Sequence, residues 1–228
     1  MFKQIILPTI IALCLSNSST AQSAKNAYKC TTPPVQMLEE MSNSLIKEYK
    51  EKEKQLKSTS EVKSYAKSAT TEALLPSLDA EYMAKQVVGR YHWNNAKPKD
   101  KAEFIDAYKN ALAAEYSSFL LKTSKKENYL KFYPSRRNSS TQTVVLATID
   151  GKKKKSTIGF YLHCVDNTMV KNLPYKTWMI YDITIDNISY LDQFKVSVSS
   201  TVRNSGLAGL TKKINELSER GKTKKGSK

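Results

Sequence analysis

Histidine and glycine are both scarce in this chain, with two His and seven Gly among 228 residues. The three cysteines add too few soft ligands, and at no useful spacing, to build a metal cluster with those histidines. The few glycines form no Gly-rich turn of the kind that cradles phosphate. Long hydrophobic runs are missing as well. The longest, Ile5 to Leu15, has 11 residues, and a membrane span needs about 20. Acidic residues are outnumbered: 21 Asp+Glu stand against 37 Lys+Arg, a formal net charge of +16, so an anionic partner or surface is expected.

Catalytic constellations are absent too. His163 adjoins Cys164, but neighbours on a strand point to opposite faces and cannot share a proton. His92 beside Trp93 reads as a packing residue at a helix end. Asp182 and Asp186 fall on one face of a strand about 13 Å apart by strand rise, too far for paired-carboxylate chemistry. Asp182 reads instead as a structural acceptor beside a turn or helix end, and Asp186 as the start of a turn with Asn187. The reading is that the chain is not an enzyme.

The amino terminus, "MFKQIILPTIIALCLSNSSTAQS", has an early cation at Lys3, the apolar run, a polar stretch, and small residues at Ser19 and Ala21. That is the layout of a secretory signal over residues 1–21, cleaved near Ala21. Export makes nucleic acid a poor candidate partner despite the charge. It also leaves two cysteines, Cys30 and Cys164, in an oxidising compartment. Whether they are bonded cannot be read from their spacing.

The amino-terminal half of the mature chain is helical. Leu38, Met41, Leu45 and Tyr49 form an amphipathic stripe after Pro33 and Pro34. Ser58 and Glu61 have capping-box spacing ahead of a helix that ends near Pro76. Asp79 caps a third helix predicted to run through Met83, Val87 and Tyr91. The longest helix begins at Pro98 and lines one face with Phe104, Tyr108, Leu112, Tyr116 and Phe119.

After Ser124 the texture becomes β-rich. "NYLKFYP", "TQTVVLATID", "STIGFYLHCV" and "KTWMIYDITID" read as four strands of an antiparallel meander, the middle two joined by a lysine-rich tip at Lys152–Lys155. Simple alternation puts Ile158, Phe160, Leu162 and Cys164 on one face of the third strand. In the fourth it groups Tyr181 with Ile183 and Ile185, opposite Trp178 and Ile180. Two short helices follow, interrupted near Asn204 to Gly206. The expected organisation is one α+β domain over residues 22–215, with amino-terminal helices packed on a curved antiparallel sheet of about four strands, C-terminal helices, and a basic flexible tail at 216–228.

The order of these segments resembles the MlaC family of periplasmic phospholipid-binding proteins over roughly residues 35 to 218. One part of the likeness is "LLPSLDAEYMAKQVVGRYHWNNAKPKDKAEFIDAYKNAL", similar to the family's Pro, Asp-led helix, Gly-Arg-aromatic-Trp, Ala-x-Pro and Phe-containing helix. The other is "WMIYDITIDNIS" followed 14 residues after Ser189 by "RNSGLAGL", similar to the family's Trp-x-x-Tyr-Asp and Arg-x-x-Gly-Leu-x-Gly-Leu ending. The chain departs from the pattern in having one extra residue between Gly89 and Ala96, and "FKVSV" where the family often carries a Gln-Phe run.

The resemblance implies an NTF2-like or cystatin-like cone with an apolar cleft. It implies a soluble, monomeric carrier without cofactor, whose cargo is phospholipid. In such a system the carrier moves lipid between an outer-membrane lipoprotein/porin complex and an inner-membrane ABC transporter with an MCE-domain subunit, maintaining outer-membrane lipid asymmetry. Two acyl chains of ~30 methylenes would cost ~24 kcal/mol fully exposed to water, so the carrier must enclose them. The apolar faces nominate the wall: Val87, Val88, Phe104, Tyr108, Leu112 and Tyr116 from helices, and Val145, Ala147, Phe160, Leu162, Tyr181 and Ile183 from strands. The competing expectation is an exported basic module that binds anionic membrane surfaces or polymers without enclosing a chain.

Overall fold

A computed structural model describes residues 27–123, 130–134, 139–150, 155–166 and 175–223. The signal segment, residues 152–154 of the lysine-rich tip and the last five residues lie outside the described ones. The helices are α1 (Pro34–Glu53), α2 (Thr59–Ala73), α3 (Ala80–Val88), α4 (Arg90–Asn95), α5 (Pro98–Thr123) and α6 (Tyr190–Thr223). The strands are β1 (Lys131–Tyr133), β2 (Gln142–Asp150), β3 (Lys155–Val165), β4 (Thr177–Ile185) and β5 (Ile188–Ser189). They form one antiparallel meander in the order β1-β2-β3-β4-β5. The architecture is α+β, with helices packed against the sheet.

Local chemistry sets the element ends. The Ser58 side chain accepts from the Glu61 N–H, and Asp79 Oδ1 from the Tyr82 N–H, so both predicted caps form. The third helix stops earlier than its periodicity predicts. Gly89 sits at φ +81°, a conformation strained for any L side chain, and breaks it into α3 and α4. That break turns Trp93 into the core and leaves Tyr91 75% exposed. Gly206, at φ +62°, likewise kinks α6 in the region where an interruption is expected. Beyond the kink the helix continues to Thr223, so residues 216–223 of the expected flexible tail are helical.

The sheet corrects the faces of the fourth strand. Leu162 pairs with Ile180 but Tyr161 pairs with Asp182, so Tyr181 is an extra residue in β4, a β-bulge. Such an insertion reverses the side-chain parity on either side of it. Trp178 and Ile180 therefore join Ile183 and Ile185 on the face of Leu162, Phe160 and Ile158. Tyr181 is left on the far side, its ring 5.0 Å from His163 and 6.1 Å from Tyr161. A fifth, two-residue strand follows β4 through a tight turn in which Asp186 and Asn187 both have positive φ.

One core joins the layers. Met37 and Leu38 of α1, Met83 and Val87 of α3, and Phe104 and Tyr108 of α5 pack with Val145, Leu162, Trp178 and Ile180 of the sheet. Cys30 and Cys164 are joined by a disulfide with Cα atoms 5.8 Å apart. The Trp178 indole N–H donates to the Thr32 carbonyl at 3.0 Å beside it. The segment leading into α1 is thus held to one end of β3 and β4.

Candidate functional site

At the opposite end of the sheet the two layers part. Ile158 and Phe160 of β3, Ile183 and Ile185 of β4, and Phe132 of β1 line an apolar cavity from below. Leu38, Met41 and Leu45 of α1 and Tyr116, Phe119 and Leu120 of α5 cover it. Its volume is about 90 Å³. The α1 stripe faces it because residues three and four apart share one helix face, and Ile158, Phe160, Ile183 and Ile185 face it because alternate residues of a strand share a face and these pair directly across β3 and β4.

A second, smaller cavity of about 70 Å³ lies between α3, α5 and the start of α6, lined by Met83, Tyr108, Leu112, Leu191 and Phe194 among others. Glu115, Tyr116 and Tyr190 line both cavities. Tyr116 is the wall between them, and its hydroxyl is buried without a hydrogen-bond partner. Burial pushes that hydroxyl far above the ordinary tyrosine range, with the charges of Asp182 and Glu115 adding to the effect. Burial does the same to Tyr108, and the Asp182 carboxylate adds to it. Both phenols stay protonated over the whole physiological range and can only donate or accept hydrogen bonds.

Asp182 anchors the start of α6 to β4. Its carboxylate accepts from the Ser189 hydroxyl at 2.6 Å and from the Leu191 and Ile183 N–H groups at 3.2 and 2.8 Å. The Ser189 hydroxyl accepts from the Asp192 N–H, so serine and aspartate together satisfy the first turn of the helix. Asp186 accepts from the Thr157 N–H and the Ser156 hydroxyl, tying the turn to the start of β3.

The twelve residues nominated by sequence divide three ways. Tyr116, Phe160 and Ile183 line the larger cavity, and Tyr108, Leu112 and Tyr116 the smaller. Val87, Val88, Phe104, Val145, Ala147 and Leu162 pack in the core without lining either cavity, Ala147 between its pairing partners Ile158 and Phe132, which do line one. Tyr181 lies across the sheet because of the bulge. Sequence reasoning passed over Leu38, Met41 and Leu45 as wall residues, although their stripe was visible; nothing in it showed which layer that stripe faces. It also missed Glu115, the one Asp, Glu, Lys or Arg among the described lining residues of either cavity.

Among the described residues one acid-histidine pair accompanies these features. His163 Nε2 lies 2.8 Å from Asp79 Oδ2, on the far side of the sheet among Tyr82 and Tyr181. It fastens the α3 cap to β3. Among the described residues no group of His, Cys, Asp and Glu could hold a metal ion, and no helix is long and apolar enough to cross a membrane.

The family description "MlaC protein" matches residues 39–216, and the chain belongs to that family. A solved structure with the same fold is the phospholipid-binding protein of Ralstonia solanacearum, determined in complex with a phospholipid. It is 16% identical, the match covers 80% of this chain and 95% of that one, and the TM-score is 0.63.

Proposed function

We propose that the chain is a non-enzymatic phospholipid carrier of the periplasm. In this reading it moves lipid between outer-membrane and inner-membrane transport complexes and so sustains outer-membrane asymmetry. Its partners are then an inner-membrane ABC transporter with an MCE-domain subunit and an outer-membrane lipoprotein/porin complex, each met by the monomer. Family membership and the phospholipid seen in the Ralstonia protein support the class of ligand.

The observation that carries the reading is the apolar cavity between α1, α5 and the sheet. Apart from Glu115, Thr70 and Ser42, its lining is aliphatic and aromatic. An acyl chain gains the full transfer energy of its methylenes there, whereas a headgroup gains nothing and stays at the wet rim. At about 90 Å³ the cavity is smaller than the roughly 300–1,000 Å³ typical of ligand pockets, so loading moves the helices away from the sheet. The rim also differs from the cationic mouth that the basic composition suggests: among the described residues its charge is the exposed carboxylate of Glu115.

Native mass spectrometry of protein purified without detergent tests this, with lipid uptake from liposomes alongside. Bound phospholipid is the expected result. A protein that carries no lipid and takes none up, yet binds anionic headgroups in a strongly salt-dependent way, would establish the surface-binding alternative.

A further inference from the structure

Tyr116 is an anomaly within the site. A buried hydroxyl without a partner is disfavoured, and native proteins rarely keep one without a reason. It does not sit in a polar pocket. On one side lies the cavity of Phe160 and Ile183, on the other that of Leu112 and Phe194, and the phenol is in the partition. The protein thus offers two apolar chambers whose shared border carries two phenols, Tyr116 and Tyr190, and of these Tyr116 has the hydroxyl that is buried without a partner.

A diacyl lipid has the complementary shape: two apolar arms meeting at a polar node of ester carbonyls. Resting on the carrier reading above, we infer that the Tyr116 hydroxyl is held for an ester carbonyl of the cargo, whose two chains enter the two chambers it divides. The lipid phosphate is a poor alternative acceptor. It would have to shed its water to reach a buried site, and the Glu115 carboxylate borders both chambers. The raised pKa of the phenol keeps it a neutral donor, which suits a neutral carbonyl. Hydrogen bonding to cargo would also explain why a residue that could be phenylalanine on packing grounds keeps its oxygen.

The test is a titration of the delipidated full chain with diacyl phosphatidylethanolamine and with a dialkyl ether analogue of the same chains and headgroup. Wild type is expected to bind the ester roughly 3- to 10-fold more tightly, the range of one neutral hydrogen bond. Tyr116→Phe is expected to erase that preference while the melting temperature of the empty protein stays level or rises, because the orphan hydroxyl is gone. Equal binding of ester and ether by wild type, or a preference that survives in Tyr116→Phe, overturns the assignment and leaves the carrier reading standing. Failure of wild type to take up either lipid overturns the carrier reading itself. Leu112→Trp, which fills the second chamber, is expected to weaken diacyl lipid while sparing a single-chain lysolipid. An equal loss for both overturns the division of the chains.

Discussion

The two ends of the β3–β4 ribbon are built on opposite terms. At the Cys164 end the layers are held by a disulfide, by the Trp178 indole on the Thr32 carbonyl, and by Asp79, whose N–H donates to the Ile180 carbonyl and whose carboxylate meets His163. At the Ile158 end the described lining is mostly apolar side chains around a space, with the unpaired Tyr116 phenol at its border. Directional bonds fix a geometry, whereas apolar contact is non-directional and can re-form around another apolar body. The difference bears on the proposed carrier role: the crosslinked end ties the segment before α1 to the sheet, and in that role the far end, held by non-directional contact, is the one that re-forms around an acyl chain.

Removing the covalent pin should be the most damaging way to break this arrangement. Cys30 and Cys164 lie 134 residues apart, so Cys30→Ser/Cys164→Ser is expected to lower stability by up to about 5 kcal/mol, measured by denaturant unfolding beside the reduced wild type. The two ends should next respond differently to altered volume. Leu162→Ala, in the fully buried pinned core, should cost about 2–5 kcal/mol and leave lipid loading in the survivors intact. Leu45→Trp, at the cavity, should change stability by no more than about 1 kcal/mol and sharply reduce loading. Equal stability losses at the two positions would show that the ends are not mechanically distinct.

Asp182 follows the bulge, between the two regimes, and sharpens the comparison by a smaller effect. Asp182→Ala should cost about 1–3 kcal/mol because the Leu191 N–H loses its acceptor. Burial raises the Asp182 carboxyl above its usual value of 3.8, against the opposing pull of Ser189, Leu191 and Ile183. A carboxyl raised on folding binds its proton more tightly in the native state, so its contribution is present below the unfolded value and fades as pH rises through the folded one. Asp182→Asn should therefore steepen the loss of stability toward acid, followed by thermal melts across that range. An unchanged slope would show that the carboxyl is not held in this raised state.

Much of this was legible in the residues. The caps at Ser58 and Asp79, the start of α5 at Pro98 and the Asp186–Asn187 turn each depend on chemistry within a few residues, and each appears where its signal stands. The break at Gly89 was missed because an apolar stripe continues across it and only the backbone angle betrays it. Face assignments in β4 failed for a related reason. Alternation assumes one residue per step, and the bulge at Tyr181 is set by pairing with β3 rather than by β4's own pattern. The site suffered most from this limit: Phe160 and Leu162 share a face and a hydrophobic character, yet one lines the cavity and the other is sealed in the core.

By itself, then, the sequence determined the helical and β-rich halves, the basic charge and the family, since these follow from composition, local propensity and spacing. Tertiary structure decided where the layers close and where they part. It also decided that Tyr116 stands unpaired between two cavities and that an acid sits at their shared border. A cavity is the space left between elements distant in the chain, and no residue carries a local mark of the space it will face.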